Sequence, residues 1–277
     1  MNKSITENYT KLSLVPILPP LFLLFSIVFY LYTNDALNIE NYIEIQRELF
    51  LFLNSKLSQF PMIQHNLTQF GDAFVFLSLL TIFIIYAPKI WEALVCASLV
   101  SVVFCSISKK IFSVPRPAVI LDHNSFVIVG NTLSGHNSLP SGHSMTVFTI
   151  LTILLFAFMP PKKYEKIIWT ISVLMIGLVL VFTRVGVGAH YPLDVMMGSI
   201  IGYISGLLGI FICRKYSLCK WIGNKKIYPF FILLFIVSIV LLINKILKEN
   251  LVIYYFPLGI LFVTVYLMIG VYVRKRV

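Results

Sequence analysis

The chain has 277 residues, 58% of them hydrophobic and 12% charged, with a mean hydropathy of +0.91. That composition excludes an ordinary soluble enzyme and leaves no room for a large aqueous domain; it indicates an all-α, polytopic transmembrane helical bundle. A net charge of +11 would suit a nucleic-acid binder, but the basic residues lie in short clusters between apolar runs, so no nucleic-acid partner is expected.

Apolar runs near 14–32, 70–87, 90–108, 144–159, 167–183, 195–213, 228–244 and 251–271 give eight candidate spans. Each is close to the ~20 residues that cross a ~30 Å hydrocarbon core. The first follows Lys3 and Lys11, lacks a small-x-small cleavage site and is long enough to span, which makes it an uncleaved first helix. Cys96 and Cys105 share one run while Cys213 and Cys219 flank a basic loop, a pattern unlike a disulfide framework or a zinc ribbon.

With a cytoplasmic N-terminus, the inward segments hold 14 of the 22 Lys and Arg: Lys3, Lys11, Lys89, Lys162, Lys163, Lys166, Arg214, Lys215, Lys220, Lys225, Lys226, Arg274, Lys275 and Arg276. The opposite orientation violates the positive-inside rule. Both termini are therefore expected inside, and residues 109–143 and 184–194 outside, at the periplasmic face of a bacterial inner membrane or an extracellular one. The whole is expected to be one integral-membrane unit: a first helix and external segment to residue 69, a core over 70–213, then a basic loop and two C-terminal helices over 214–277.

In the external segment 34–69, Ile39, Tyr42, Ile43, Phe50, Leu53, Leu57 and Phe60 recur at helical spacing, with Glu40, Glu44, Arg47 and Glu48 largely on another face. This fits either an amphipathic helix in the membrane interface or a short helix packed on its own protein. The excursion 118–139 reads either as a lid or wall beside the substrate or as an ordinary loop. In the last two spans, Asn244, Lys245, Lys248 and Glu249 look like a solvated turn, and the helices like structural additions.

Polar residues crowd membrane boundaries in three places: Lys109 to Pro117, Pro140 to His143, and Thr183 to Asp194. Such residues are costly in lipid, and all three clusters fall on the outward side. Gathered together, Lys109, Arg116 and Arg184 match a tetrahedral oxyanion, since Arg offers a planar fork of donors and Lys a compact charge. Ser141 is placed to N-cap a helix, and Gly142 leaves its first N–H groups open, which makes an anion site. His143 and His190 supply two imidazoles, one to attack phosphorus and one to protonate the leaving oxygen. Asp194, four residues after His190 and just inside a helix begun by Pro192, can hold the imidazole's tautomer.

In order, spacing and sidedness these clusters resemble the type 2 phosphatidic acid phosphatase superfamily. Its first motif, Lys, six residues, Arg-Pro, is matched by Lys109 to Arg116-Pro117, and its second by Pro140-Ser141-Gly142-His143. The third is matched by Thr183-Arg184, His190 and Asp194, with Thr183 where serine is usual. The resemblance covers roughly 70–213. It implies that His190 is the nucleophile, that Asp194 orients it and that His143 is the general acid. Lys109, Arg116, Ser141, Gly142 and Arg184 would hold the phosphate.

The membrane branch of that superfamily needs no metal or other cofactor, and the basic surroundings of His143 and His190 favour an anion over a cation. His136 and Thr183 are expected to touch the substrate headgroup, whereas His65 and His123 are expected to be loop residues. The implied substrate is a lipid phosphate met in the membrane: undecaprenyl diphosphate, phosphatidylglycerol phosphate, phosphatidic acid or lipid A phosphate. A lipid-to-lipid phosphotransferase is the enzymatic alternative. A non-enzymatic anion-binding or transport protein is the other, though it would call for repeated halves with broken helices.

Overall fold

The computed structural model describes residues 1–216 and 218–274; Lys275 and Arg276, counted above among the inward charges, lie outside the described residues. A chain in lipid must satisfy its backbone internally, and helices do so segment by segment. The helices are α1 (Asn2–Lys11), α2 (Leu18–Thr33), α3 (Ile39–Leu57), α4 (Pro61–Thr68), α5 (Ala73–Leu79), α6 (Phe83–Tyr86), α7 (Pro88–Phe112), α8 (Pro117–Ile120), α9 (Gly142–Ala157), α10 (Lys163–Gly186), α11 (Pro192–Tyr216), α12 (Tyr228–Glu249) and α13 (Tyr255–Arg274). Among the described residues there is no strand. Among the described residues, six stretches are long and apolar enough to cross a membrane: Val15–Thr33, Pro88–Ile120, Lys163–Gly186, Pro192–Tyr216, Lys225–Glu249 and Val252–Val273, with Gly142–Ala157 as a shorter apolar helix.

The expected span at 70–87 is not one helix. It breaks between α5 and α6, because side chains take carbonyls that a continuous helix would use. Trp91 Nε1 donates to Leu80 O at 2.7 Å, and Thr81 Oγ1 donates to Ser78 O at 2.9 Å while meeting Thr264 Oγ1 of α13 at 3.2 Å.

At the centre, α11 packs against α9 and α7 through Gly198, Gly202, Gly206 and Gly209. A Cβ on Gly202 would fall 2.5 Å from Met145 O, and one on Gly206 2.6 Å from Thr152 Cβ. Small residues let membrane helices approach to backbone contact. The start of α9 is thereby held beside the start of α11, where the Ser141 N–H donates to Asp194 O at 3.0 Å.

The far end of the bundle is closed by α1, which the sequence marked only as a polar inward segment. Its Ile5 and Tyr9 are buried. Asn8 Nδ2 donates to Ala157 O (3.0 Å) and Met159 O (3.1 Å), and Arg214 donates to the carbonyls of Tyr9 (3.1 Å) and Leu12 (2.8 Å). The Lys89 N–H donates to Asn2 Oδ1 at 3.0 Å. The C-terminal ends of α9 and α11 and the start of α7 therefore meet α1 at one end, which places all three polar clusters at the other.

Of the two readings of the external helix, the structure favours packing on its own protein. The buried stripe of α3 is Tyr42, Ile43, Gln46, Phe50 and Asn54, while Ile39 and Phe60 are exposed. Asn54 clamps the loop to the end of α10: its Oδ1 accepts the Val127 N–H (2.8 Å), and its Nδ2 is shared among Val127 O (3.0 Å), Val185 O (2.9 Å) and Gly186 O (3.2 Å).

Candidate active site

Asp194, in the first turn of α11, is fully buried and accepts three hydrogen bonds. Oδ2 receives the Ser138 hydroxyl at 2.6 Å and the Tyr191 N–H at 3.0 Å; Oδ1 receives the Tyr42 hydroxyl at 2.8 Å. His190, 1% exposed, stands next to it, with Nδ1 at 3.3 Å from Ser138 Oγ and 3.7 Å from Asp194 Oδ2. The Ser138 proton is committed to Asp194, so its lone pairs can accept from an Nδ1–H. This arrangement favours the tautomer that leaves Nε2 with its lone pair. Burial, then the charges of Arg116, Arg184 and Lys109, hold His190 well below the ordinary histidine pKa. It is a neutral imidazole at neutral pH.

Arg116 follows the left-handed Ser113 (φ 45°) that ends α7. Its NH1 lies 3.4 Å from His190 Nε2 and donates to Ala189 O at 3.2 Å, while Nε donates to Asn137 Oδ1 at 2.8 Å. Lys109, in the last turn of α7, brings Nζ to 3.6 Å from where a Cβ on Gly142 would sit. Ser141 caps α9, its Oγ accepting the Ser144 N–H (3.3 Å) and hydroxyl (2.9 Å), so its own proton is unspent. An ammonium beside an open helix N-terminus concentrates positive potential there.

A cavity of ≈ 180 Å³ opens beside this cluster, lined in part by His143, Arg184, His65, Gln69, Val129 and Glu249. Arg184 NH1 donates to Thr68 Oγ1 at 2.8 Å, and its buried Nε has no partner among the described residues. A Cβ on Gly71 would collide with the His143 side chain, so glycine there leaves room for that ring. His190 and Arg116 lie behind the cavity wall, where Ala189 also stands. The 118–139 excursion forms part of the wall through Ile128 and Val129, with the Val129 N–H on Val187 O at 3.2 Å.

Several expectations change. His65 is on α4 and faces the cavity, whereas it had been expected in a loop; His123 is a loop residue, its Nε2 2.8 Å from Ala118 O. His136 is exposed, as is its neighbour Asn137, whose Oδ1 accepts from Arg116 Nε at 2.8 Å. The Thr183 hydroxyl donates to Leu180 O at 2.5 Å, within its own helix. The stretch 244–249 is the end of α12 and not a turn: Asn244, Lys248 and Glu249 are exposed, Glu249 also lines the cavity and accepts the Tyr254 hydroxyl, and Lys245 pairs with Asp72 at 2.5 Å. Tyr42, Ser138, Asn137 and Thr68 belong to none of the three motifs, and the one available signal was the helical period that buried Tyr42.

Fold and site together define an integral-membrane helical protein with two imidazoles, a buried carboxylate and a basic cluster at one end of its bundle, beside a cavity that His143 and Arg184 line. Residues 89–219, from the start of α7 to just past α11, match the family model of the PAP2 superfamily, and this region of the chain belongs to that superfamily. The chain is 28% identical over 198 residues to lipid A 4'-phosphatase of Porphyromonas gingivalis, covering 66% of this chain and 79% of the relative. It is 28% identical over 159 residues to undecaprenyl-diphosphatase of Sulfolobus acidocaldarius, covering 56% and 72%. The crystal structure of Aquifex aeolicus LpxE is similar with a TM-score of 0.48 and 27% identity, over 60% of this chain and 95% of that one.

Proposed function

We propose that the chain is a lipid phosphatase that hydrolyses a phosphate monoester or diphosphate through a phosphohistidine, without a metal. The reading is carried by one observation: His190 is held at Nδ1 by Ser138 and Asp194 while Nε2 faces Arg116. Nε2 attacks phosphorus as the bond to the leaving oxygen breaks, and His143, which takes a proton when the anionic phosphate binds beside it and so enters the step as an imidazolium, gives that oxygen its proton. Water then attacks the phosphohistidine, returning a proton to His143 and releasing phosphate. Arg116, Arg184, Lys109, Ser141 and the N–H of Gly142 take up the charge of the pentavalent state.

The inward bias of Lys and Arg supports an outward-facing site with both termini cytoplasmic. Relatives named for lipid A and undecaprenyl diphosphate support a substrate with a phosphate at headgroup depth and chains in lipid. The test is phosphate release in detergent from the four candidate lipid classes, with and without EDTA. His190→Ala is expected to abolish release while the protein stays folded. A His143→Ala chain given a phosphate ester with an activated leaving group should accumulate acid-labile phosphoprotein; undiminished turnover by the His190 variant overturns the assignment.

A further inference from the structure

We infer that the groove between α4 and the turn joining α12 to α13 seats the hydrocarbon chain of the phosphate-bearing lipid, an inference that rests on the phosphatase reading above. The groove, ≈ 430 Å³, is lined by Met62, Ile63, Leu67, Val252, Ile253 and Phe256, with Asn66 its single polar residue. The amide of Asn66 is engaged: Oδ1 accepts the Ile253 N–H at 3.0 Å and Nδ2 donates to Met62 O at 2.8 Å. The same bond ties α4 to the C-terminal pair and fixes the groove's two walls together.

The groove and the polar cavity adjoin on both walls. Met62, His65 and Asn66 of α4 and Gln69, its C-cap, follow one another at helical spacing along one strip; His65 and Gln69 face the cavity, and Met62 and Asn66 the groove. On the other wall, Glu249 lines the cavity and Val252, three residues on, the groove. A phosphate near Arg184 and His143 thus has an apolar trough beginning at the cavity's edge. A second apolar groove, with Leu77, Trp91 and Leu99, lies on α5 and α7, which contribute nothing to the cavity. Burial of chain methylenes in the adjoining groove would hold the lipid with its ester at the site.

The test compares kcat/KM for a long-chain lipid phosphate with that for a short, water-soluble phosphate monoester. Met62→Trp and Val252→Trp fill the groove and are expected to lower the long-to-short ratio about tenfold; Leu233→Trp, on the exposed face of α12, should keep the wild-type ratio. An unchanged ratio in the groove variants, or an equal fall in Leu233→Trp, overturns the inference. A second measurement needs no variant. The unaltered protein is photolabelled with a lipid phosphate carrying a diazirine on its chain, and peptides containing Met62, Leu67 or Val252 should be marked. Labelling should fall with excess unlabelled long-chain lipid phosphate and persist with the matching phosphate-free diglyceride; labelling elsewhere, or equal competition by both, overturns it. Wild-type protein that releases phosphate from neither ester sinks the phosphatase reading, whereas release from both with no effect of groove or chain sinks the seat alone.

Discussion

Tyr42 and Asp194 are 152 residues apart in the chain and 2.8 Å apart in the fold, hydroxyl to carboxylate. The bond fastens α3 to the first turn of α11 and supplies one of three donors to the carboxylate behind His190. Burial and the nearby Asp194 raise the Tyr42 pKa well above its ordinary value, so it stays a donor across the working pH range. A hydrogen bond to a charged group contributes about 1.5–3 kcal/mol. Tyr42→Phe is therefore expected to lower kcat about tenfold or more with little change in KM, measured by steady-state kinetics on a lipid phosphate.

One part of the pH dependence follows from His190. Its pKa in the fold is lowered, so the unfolded chain binds more protons than the native one below the ordinary histidine value of about 6.5. Its contribution to stability is fully present above that value and is lost as pH falls towards the folded pKa. Thermal unfolding of the unliganded protein should move to lower temperature between about pH 6.5 and 5, and His190→Asn should flatten that slope. A slope unchanged in the variant would assign the effect to another group.

The approach of α9 to α11 gives a packing prediction. A Cβ on Gly198 would fall 2.5 Å from Ser141 O, on backbone that cannot swing aside. Gly198→Ala should destabilise by about 1–3 kcal/mol, the usual range for overpacking. It should also reduce phosphate release by displacing Ser141, whereas Gly259→Ala, with nothing within 4 Å of the added atom, should do neither. Melting curves and turnover on the two variants decide it.

Asn54 joins α3, the loop and the end of α10. Asn54→Leu leaves the Val127 N–H and the carbonyls it served without their partner, at about 1–3 kcal/mol for each buried group left unsatisfied. The expected outcome is faster proteolysis within 118–139 and a raised KM, because that loop walls the cavity.

The motif residues could be read from sequence because their spacing is local: Lys109 to Arg116, Ser141 to His143, and His190 to Asp194 each belong to one helix end or one turn. Charge asymmetry along the chain supplied an expected sidedness independently. Residues that reach the site from elsewhere left no such trace. Tyr42 was visible only as one apolar period among several, since which tyrosine finds a carboxylate is decided by how α3 docks. That Glu249 borders the cavity was hidden because nothing local tells that α12 ends beside α4. The break at Leu80 depends on Trp91, whose indole N–H takes the carbonyl only once α7 has turned back.

The clasp of α1 carries a consequence for biosynthesis. Arg214 grips the carbonyl of Tyr9 across 205 positions of sequence, so this last hold on α1, after those of Lys89 and of the end of α9, cannot form until α11 has been made. At about 5–20 residues per second, that interval is roughly ten to forty seconds. During it α1 is held only by what α7 and α9 have already supplied, and a nascent chain arrested before Arg214 should yield to protease within α1 faster than the full chain does.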